Sequence, residues 1–181
     1  MSFIVGLSVI ALLVANPALC ADTERKAGQD YAREFHAAQT DAEIRLDAIL
    51  KQADSIAGSS WVAVQAPWRD KANDRLFEGM FSPTLQAAWV RAEQDAVRKN
   101  CTGAYIDGEL CGIDIHPITC AQDLTPNYQY RTASSTSNQA IIEYRWGGGT
   151  KTMATFRLIR ADRSWVLDGV ACTGYLKFNM R

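Results

Sequence analysis

Hydrophobic positions recur every three or four residues over the first half of the chain and every second residue over the last third. Between Asp22 and Ile56 the apolar side chains form one stripe, which predicts a long amphipathic helix. The sequence from Thr40 to Glu43 resembles a capping box, so an alternative is two helices with a break near Gln39. The stripe is expected to pack on the protein's own core, and a homodimer formed along it is a second interpretation. Its members are Ala27, Tyr31, Phe35, Ala38, Ala42, Leu46, Ile49, Ala53 and Ile56.

A second helix is predicted between Pro83 and Asn100. Ser82 can cap the first free amide groups, and Pro83 suits the first helical position because its missing N–H is not needed there. Arg98 and Lys99 complement the carboxyl end of the helix dipole. The apolar face of this helix is predicted to consist of Leu85, Ala88, Trp89, Ala92 and Ala96.

From Tyr128 onward the pattern alternates, which predicts strands. Four strands are expected at residues 128–132, 140–146, 152–158 and 164–172, with turns at residues 147–149 and 161–163. Consecutive strands joined by short turns form an antiparallel meander. Helices followed by strands indicate an α+β protein in which the N-terminal helices pack on one face of a curved sheet.

Residues 1–21 are predicted to be a signal peptide. The apolar run from Ser2 to Val14 is too short for a membrane span, and small residues and then charged residues follow it. Cleavage is expected after Cys20 or Ala21, with lipid attachment at Cys20 as a weaker alternative. Residues 22–181 would then form a single domain in the periplasm, with no membrane span after cleavage.

The charge balance bears on the kind of partner. The chain has 19 Lys and Arg residues against 20 Asp and Glu residues, a formal net charge of −1. Nucleic acid binding needs a concentrated basic surface, and so does binding to anionic lipid, so neither partner is expected.

Four cysteines remain after the predicted cleavage, and an even number in an exported chain indicates two disulfides. Three pairings are open from the sequence. We favour Cys101 with Cys111, which closes a short loop at a helix end, and Cys120 with Cys172, which ties the middle of the chain to the last strand. The spacing contains no Cys-x-x-Cys pair, so no metal site is expected. No cofactor is expected either.

Several short motifs resemble the NTF2-like (cystatin-like) α+β superfamily, and within it a family of bacterial secreted domains. The resemblance implies a cone-shaped curved sheet wrapped around the helices and no settled activity. The motifs are the aromatics Tyr31 and Phe35, the helix start Phe81-Ser82-Pro83, the stretch Asp114, His116-Pro117 and Gln122-Asp123, and the closing segment from Arg160 to Asp168 with Trp165.

Enzymes of that superfamily place an acid or base inside the cone, so the resemblance makes carboxylates and histidine candidate catalytic groups. Asp114 and His116 would share one face of an extended stretch, and with Asp123 they are the weak catalytic candidates. The favoured interpretation is that these residues fasten a loop. Asp168 is expected to pair with Arg157 or Arg160 across a hairpin rather than to catalyse.

Aromatic and arginine side chains alternate in the strands, a composition typical of protein recognition. Core packing should claim those on the face toward the helices, so only part of the set is expected to reach a partner. The candidate binding residues are Tyr128, Tyr130, Tyr144, Arg145, Trp146 and Arg157.

These observations favour a non-catalytic periplasmic protein that binds another protein through its sheet or loop ends. A specific version is an inhibitor or immunity protein that neutralises a cell-wall-degrading effector. The alternative is a small-molecule-binding protein, or an isomerase or hydratase, with a pocket inside the cone.

Overall fold

The computed structural model describes residues 34–55, 79–121, 127–175 and 177–180. This part of the chain is an α+β protein with two helices and an antiparallel sheet. The predicted signal peptide, the first part of the predicted long helix and the candidate Asp123 lie outside the described residues. No helix in the described ranges is both long and apolar enough to cross a membrane.

The first described helix, α1, spans Asp41–Ser55. Residues 34–40 are not helical, so a continuous helix through them is wrong, whereas the helix start just after Gln39 is confirmed. The capping box explains the start, because Thr40 Oγ1 accepts from Glu43 N at 3.2 Å while Glu43 Oε2 accepts from Thr40 N at 3.1 Å. Before the break, His36 forms a two-way backbone bridge with Tyr130. Helix α1 buries Ala42, Leu46, Ile49, Leu50 and Ala53.

The second helix, α2, spans Pro83–Cys101, close to the predicted bounds. Ser82 Oγ caps it by accepting from Leu85 N at 3.1 Å, as predicted. The helix ends where Thr102 adopts a left-handed φ of 53°. Its start is held against the sheet, because Ser82 N donates to Leu167 O at 2.9 Å.

The sheet is a meander with the strand order β1-β2-β3-β4-β5, and every neighbouring pair is antiparallel. Four long strands carry it, and β5 has only two residues. The predicted meander is confirmed, although the third strand begins two residues later than expected. The strands are β1 (Tyr128–Ser135), β2 (Gln139–Trp146), β3 (Ala154–Ala161), β4 (Ser164–Cys172) and β5 (Lys177–Phe178).

The core lies between the helices and one face of the sheet. The alternation in β2 places Ile142 and Tyr144 in this core, whereas Glu143 and Arg145 are on the opposite face and remain partly exposed. Across the strands, Ile142 is paired with Phe156, which is also fully buried. The buried apolar side chains and the tyrosine rings of the inner face form one cluster.

Both disulfides have the pairing that the sequence analysis favoured. Cys101 is bonded to Cys111 with a Cα–Cα distance of 5.2 Å, and Cys120 to Cys172 with 5.3 Å. The first closes a loop at the end of α2, and the second joins the segment before β1 to the last residue of β4. All four bonded cysteines are buried.

Candidate functional site

The loop closed by the Cys101–Cys111 bond, residues 102–110, holds most of the exposed large hydrophobic side chains in the described part of the chain. We call it the disulfide loop. Five large hydrophobic side chains are exposed among the described residues, and three of them belong to this loop. They are Tyr105 (40% exposed), Ile106 (51%) and Leu110 (61%), alongside Ile44 (53%) and Tyr175 (72%) elsewhere.

Backbone contacts fix the shape of the disulfide loop in addition to the covalent bond. Ile106 N donates to Cys111 Sγ at 3.3 Å, Glu109 N donates to Ile106 O at 3.1 Å, and Cys111 N donates to Glu109 O at 3.1 Å. Gly108 turns the chain with a φ of +81°, a conformation that favours glycine. Asn100 at the end of α2 donates to Cys111 O at 3.2 Å. The exposed side chains are therefore held on a defined backbone.

A buried glutamate of α2 anchors the disulfide loop to the helix. Glu93 is only 7% exposed, and its carboxylate accepts from Tyr105 Oη at 2.5 Å and from Ile113 N at 3.0 Å. The carboxylate packs so closely on Gly112 that a Cβ at that position would lie 1.8 Å from Glu93 Oε1. Glycine is thus required beside Glu93 for the carboxylate to reach its partners on both sides of the second cysteine.

The tip of the disulfide loop combines apolar and acidic groups. Asp107 and Glu109 are exposed between Ile106 and Leu110. Exposed apolar side chains interleaved with carboxylates fit an apolar pocket that has basic groups at its rim.

Comparison of the chain with protein-family models, with curated proteins and with solved structures found no match. What the disulfide loop can bind is therefore inferred from its own geometry and chemistry.

The structure assigns His116 to loop support. Its Nδ1 accepts from the backbone N–H groups of Ile118 and Thr119 at 3.3 and 3.2 Å, and burial lowers the pKa of His116 to about 4. Its backbone completes the turn, since His116 O accepts from Cys120 N at 2.9 Å. Asp114 is exposed. A neutral imidazole whose Nδ1 serves two amides fits the predicted fastening role better than a proton relay.

Two of the candidate binding residues are fully buried, so they do not form a surface that a partner can reach. Tyr130 and Tyr144 have no exposed area, and Tyr128 is also in the core. Tyr144 Oη donates to Thr119 O at 2.9 Å and accepts from Trp146 Nε1 at 2.6 Å. The Tyr144 hydroxyl joins the segment before β1 to the sheet. The period of two puts all three tyrosines on the inner face.

Arg145 and Arg157 lie on the opposite face of the sheet, where only part of each side chain is exposed. The guanidinium group of Arg145 stacks on the ring of Phe35 at 4.5 Å and donates to Gln129 Oε1 at 2.9 Å. Arg157 donates through Nε to Asp168 Oδ2 at 2.9 Å, which confirms the predicted cross-strand pair. Both arginines of this face are therefore already bonded to other side chains of the protein.

The acidic side chains of the helices were not among the predicted site residues. Glu43 is completely buried and accepts from Thr132 Oγ1 at 2.7 Å, while Asp47 accepts from Tyr130 Oη at 2.9 Å. Burial raises the pKa of Asp54 from 3.8 to about 6. The sequence does contain a signal for the burial of Glu93. It is the middle member of a series with four-residue spacing, and every member of the series is buried: Leu85, Trp89, Glu93, Val97 and Cys101.

Proposed function

We propose that this protein is an exported, non-catalytic binding protein that docks on another protein through the disulfide loop. The observation that carries this proposal is the exposure of Ile106 and Leu110 on a covalently closed, internally bonded loop. Most exposed apolar residues on a monomer are scattered singly, whereas a cluster rimmed by polar groups marks an interaction site. The periplasm is the proposed location, in keeping with the two disulfides.

Rigidity is the reason that this loop suits tight binding. Ordering a flexible loop on association costs free energy, and a loop already fixed by a disulfide and by Glu93 avoids much of that cost. Binding energy is usually concentrated in a few apolar side chains that enter a pocket. Ile106 and Leu110 are placed to act as such anchors, with Tyr105 steadied by its bond to Glu93.

The acidic groups define the chemistry of the partner. Asp107 and Glu109 would meet basic side chains around the partner's apolar pocket, which favours encounter and orientation. A basic, cell-wall-degrading effector in the same compartment is such a partner, and the protein would then act as its inhibitor or immunity protein. The engagement of His116 in loop support favours this function over acid or base catalysis at Asp114 and His116.

The order of the described elements, two helices followed by a meander, also supports membership of the NTF2-like superfamily. On this proposal the sheet curves around α1 and α2 as a cone. The disulfide loop would be an addition at the end of α2, used for binding while the cone serves as its scaffold.

A capture experiment with matched variants tests the proposed function. The mature chain, the double variant Ile106→Ser/Leu110→Ser and the control Ile44→Ser are immobilised equally and exposed to periplasmic extract. Ile44 is a suitable control because it is 53% exposed, like Ile106, but lies on α1. We expect a protein that the wild type and the control retain and the double variant loses.

The captured protein is then purified and assayed for degradation of isolated cell wall with each variant added. Inhibition by the wild type and by Ile44→Ser, but not by the double variant, is expected. Equal retention by all three chains, or no retained protein, would overturn the proposed docking surface.

A further inference from the structure

A cleft of about 480 Å³ lies beside α1, at the start of β1 and the end of β2. Asp47 and Lys51 of α1 line one side, and Asn127, Tyr128 and Gln129 line the other. Its volume is within the range of about 300 to 1,000 Å³ that is usual for small-molecule sites. No residue of the disulfide loop is among its lining residues, so the cleft is separate from the proposed docking surface.

The carboxylate of Asp47 is held in place at the cleft. Its Oδ1 accepts from Tyr130 Oη at 2.9 Å, and its Oδ2 is 2.7 Å from Lys51 Nζ. Burial and the charge of Asp47 raise the pKa of Tyr130, so the phenol remains a hydrogen-bond donor. A carboxylate has about four lone-pair positions, and these two contacts leave capacity for a ligand's donor groups.

One buried polar atom of the residues that line the cleft has no hydrogen-bond partner within the described part of the chain. Tyr128, a lining residue that is 9% exposed, has a buried hydroxyl of this kind. Buried polar atoms are normally bonded to protein, water or ligand, so a buried hydroxyl without a partner calls for an explanation.

We propose that the cleft binds a small neutral polyhydroxylated ligand, a mono- or disaccharide. The ligand must offer donors to Asp47 and acceptors to Lys51 and to the Tyr128 hydroxyl, and a sugar hydroxyl group is both at once. The amide side chains of Asn127 and Gln129 also combine donor and acceptor atoms. Because Asp47 and Lys51 balance each other in charge, the cleft has no net preference for an ionic ligand.

Titration of the isotope-labelled chain, followed by backbone amide NMR shifts, tests this site. The probes are glucose, N-acetylglucosamine and maltose, with glycine as a zwitterionic control and inorganic phosphate as an anionic control. At least one saccharide should shift the amides of Lys51, Gln129 and Gly147 saturably, whereas glycine and phosphate should not.

Tyr128→Phe removes the hydroxyl and keeps the ring, and it should weaken saccharide binding about three- to tenfold. Lys51→Met should also weaken binding, and it leaves the core intact because the Lys51 side chain is mostly exposed. Leu110→Ser should have no effect, which separates this site from the disulfide loop. Absence of a shift with all three saccharides, equal shifts with glycine or phosphate, or unchanged affinity in both cleft variants would overturn the proposal.

Discussion

The phenol oxygen of Tyr105 lies 2.5 Å from Oε1 of Glu93, which joins an exposed loop to a buried carboxylate of α2. The same carboxylate accepts from Ile113 N, just beyond Cys111, so it is bonded both to the loop and to the segment that follows it. A side chain of the helix core thereby determines the position of the proposed binding surface. Without it, the loop would keep its disulfide and its internal backbone bonds, but Tyr105 and Ile113 would lose their shared partner on α2.

Replacing Glu93 should therefore destabilise the protein as well as loosen the loop. Glu93→Ala removes a charged acceptor from Tyr105 and from a backbone N–H group, and it should lower the free energy of unfolding by about 2 to 3 kcal/mol. Asp95→Ala is the control, because Asp95 is an exposed acid on the same helix, and its loss should change stability by less than about 0.5 kcal/mol. Urea denaturation monitored by circular dichroism measures both. Equal stability of the two variants would show that Glu93 has no anchoring role.

The two disulfides should contribute unequally to stability. In the chain-entropy model a longer closed loop gains more, so Cys120→Ser/Cys172→Ser should cost about 4 kcal/mol and Cys101→Ser/Cys111→Ser about 2 to 3 kcal/mol. The sequence separations of 52 and 10 residues set this order. Denaturant titration of both double variants, with thiol titration of the wild type as a check on oxidation, measures it. A larger loss from opening the Cys101–Cys111 bond would contradict the model.

His116 should make the protein less stable in mild acid. Its folded-state pKa of about 4 is below the unfolded value of 6.5, so on acidification the unfolded chain takes up the proton first. Stability should fall as the pH drops below 6.5, and this group should contribute a loss of about 2 kcal/mol between about pH 7.5 and pH 5.

The variant His116→Asn tests this effect, because the asparagine oxygen can accept from the same backbone amides without titrating. Its unfolding free energy should depend less on pH than that of the wild type, even if it is lower overall. An identical pH slope in the two proteins would exclude His116 as the source.

Asp54 should act in the opposite direction. Burial raises its pKa in the folded state from 3.8 to about 6, so its favourable contribution is complete below pH 3.8 and is lost as the pH rises through 6. Asp54→Asn should therefore become more stable relative to wild type as the pH rises from about 4 to 7.5, by about 1 kcal/mol after allowance for the residue's partial exposure. Thermal or urea unfolding at both pH values measures the difference, and a constant offset would contradict the assignment.

The sequence predicted the fold in most of its local features because each had a local chemical signal. Ser82 and Pro83 mark the start of α2, and Thr40 with Glu43 marks the start of α1. The alternation over residues 140–146 placed Ile142 and Tyr144 on one face of β2, although it did not say which face is buried. The sequence left three disulfide pairings open, and the favoured one, which used the position of Cys101 at a helix end and of Cys172 in the last strand, is confirmed.

The candidate site was harder to predict because its key contacts join residues that are distant in sequence. Glu93 appears on a mostly polar stretch of helix, and only the close approach of Gly112 and Tyr105 makes it an anchor. Tyr130 and Tyr144 were placed among binding candidates by composition, but burial depends on which face meets the helices. The exposure of Ile106 and Leu110 could not be read from hydrophobicity, which alone would have favoured the core.

The central claim is that the disulfide loop, rather than the sheet, is the surface that the partner covers. Hydrogen–deuterium exchange of the purified complex, compared with the free protein by mass spectrometry, tests it most directly. The account predicts slower exchange on binding for residues 102–110 and little change in β1 and β2. Protection confined to the strand segments around Arg131 and Arg145, with the loop exchanging as in the free protein, would contradict it.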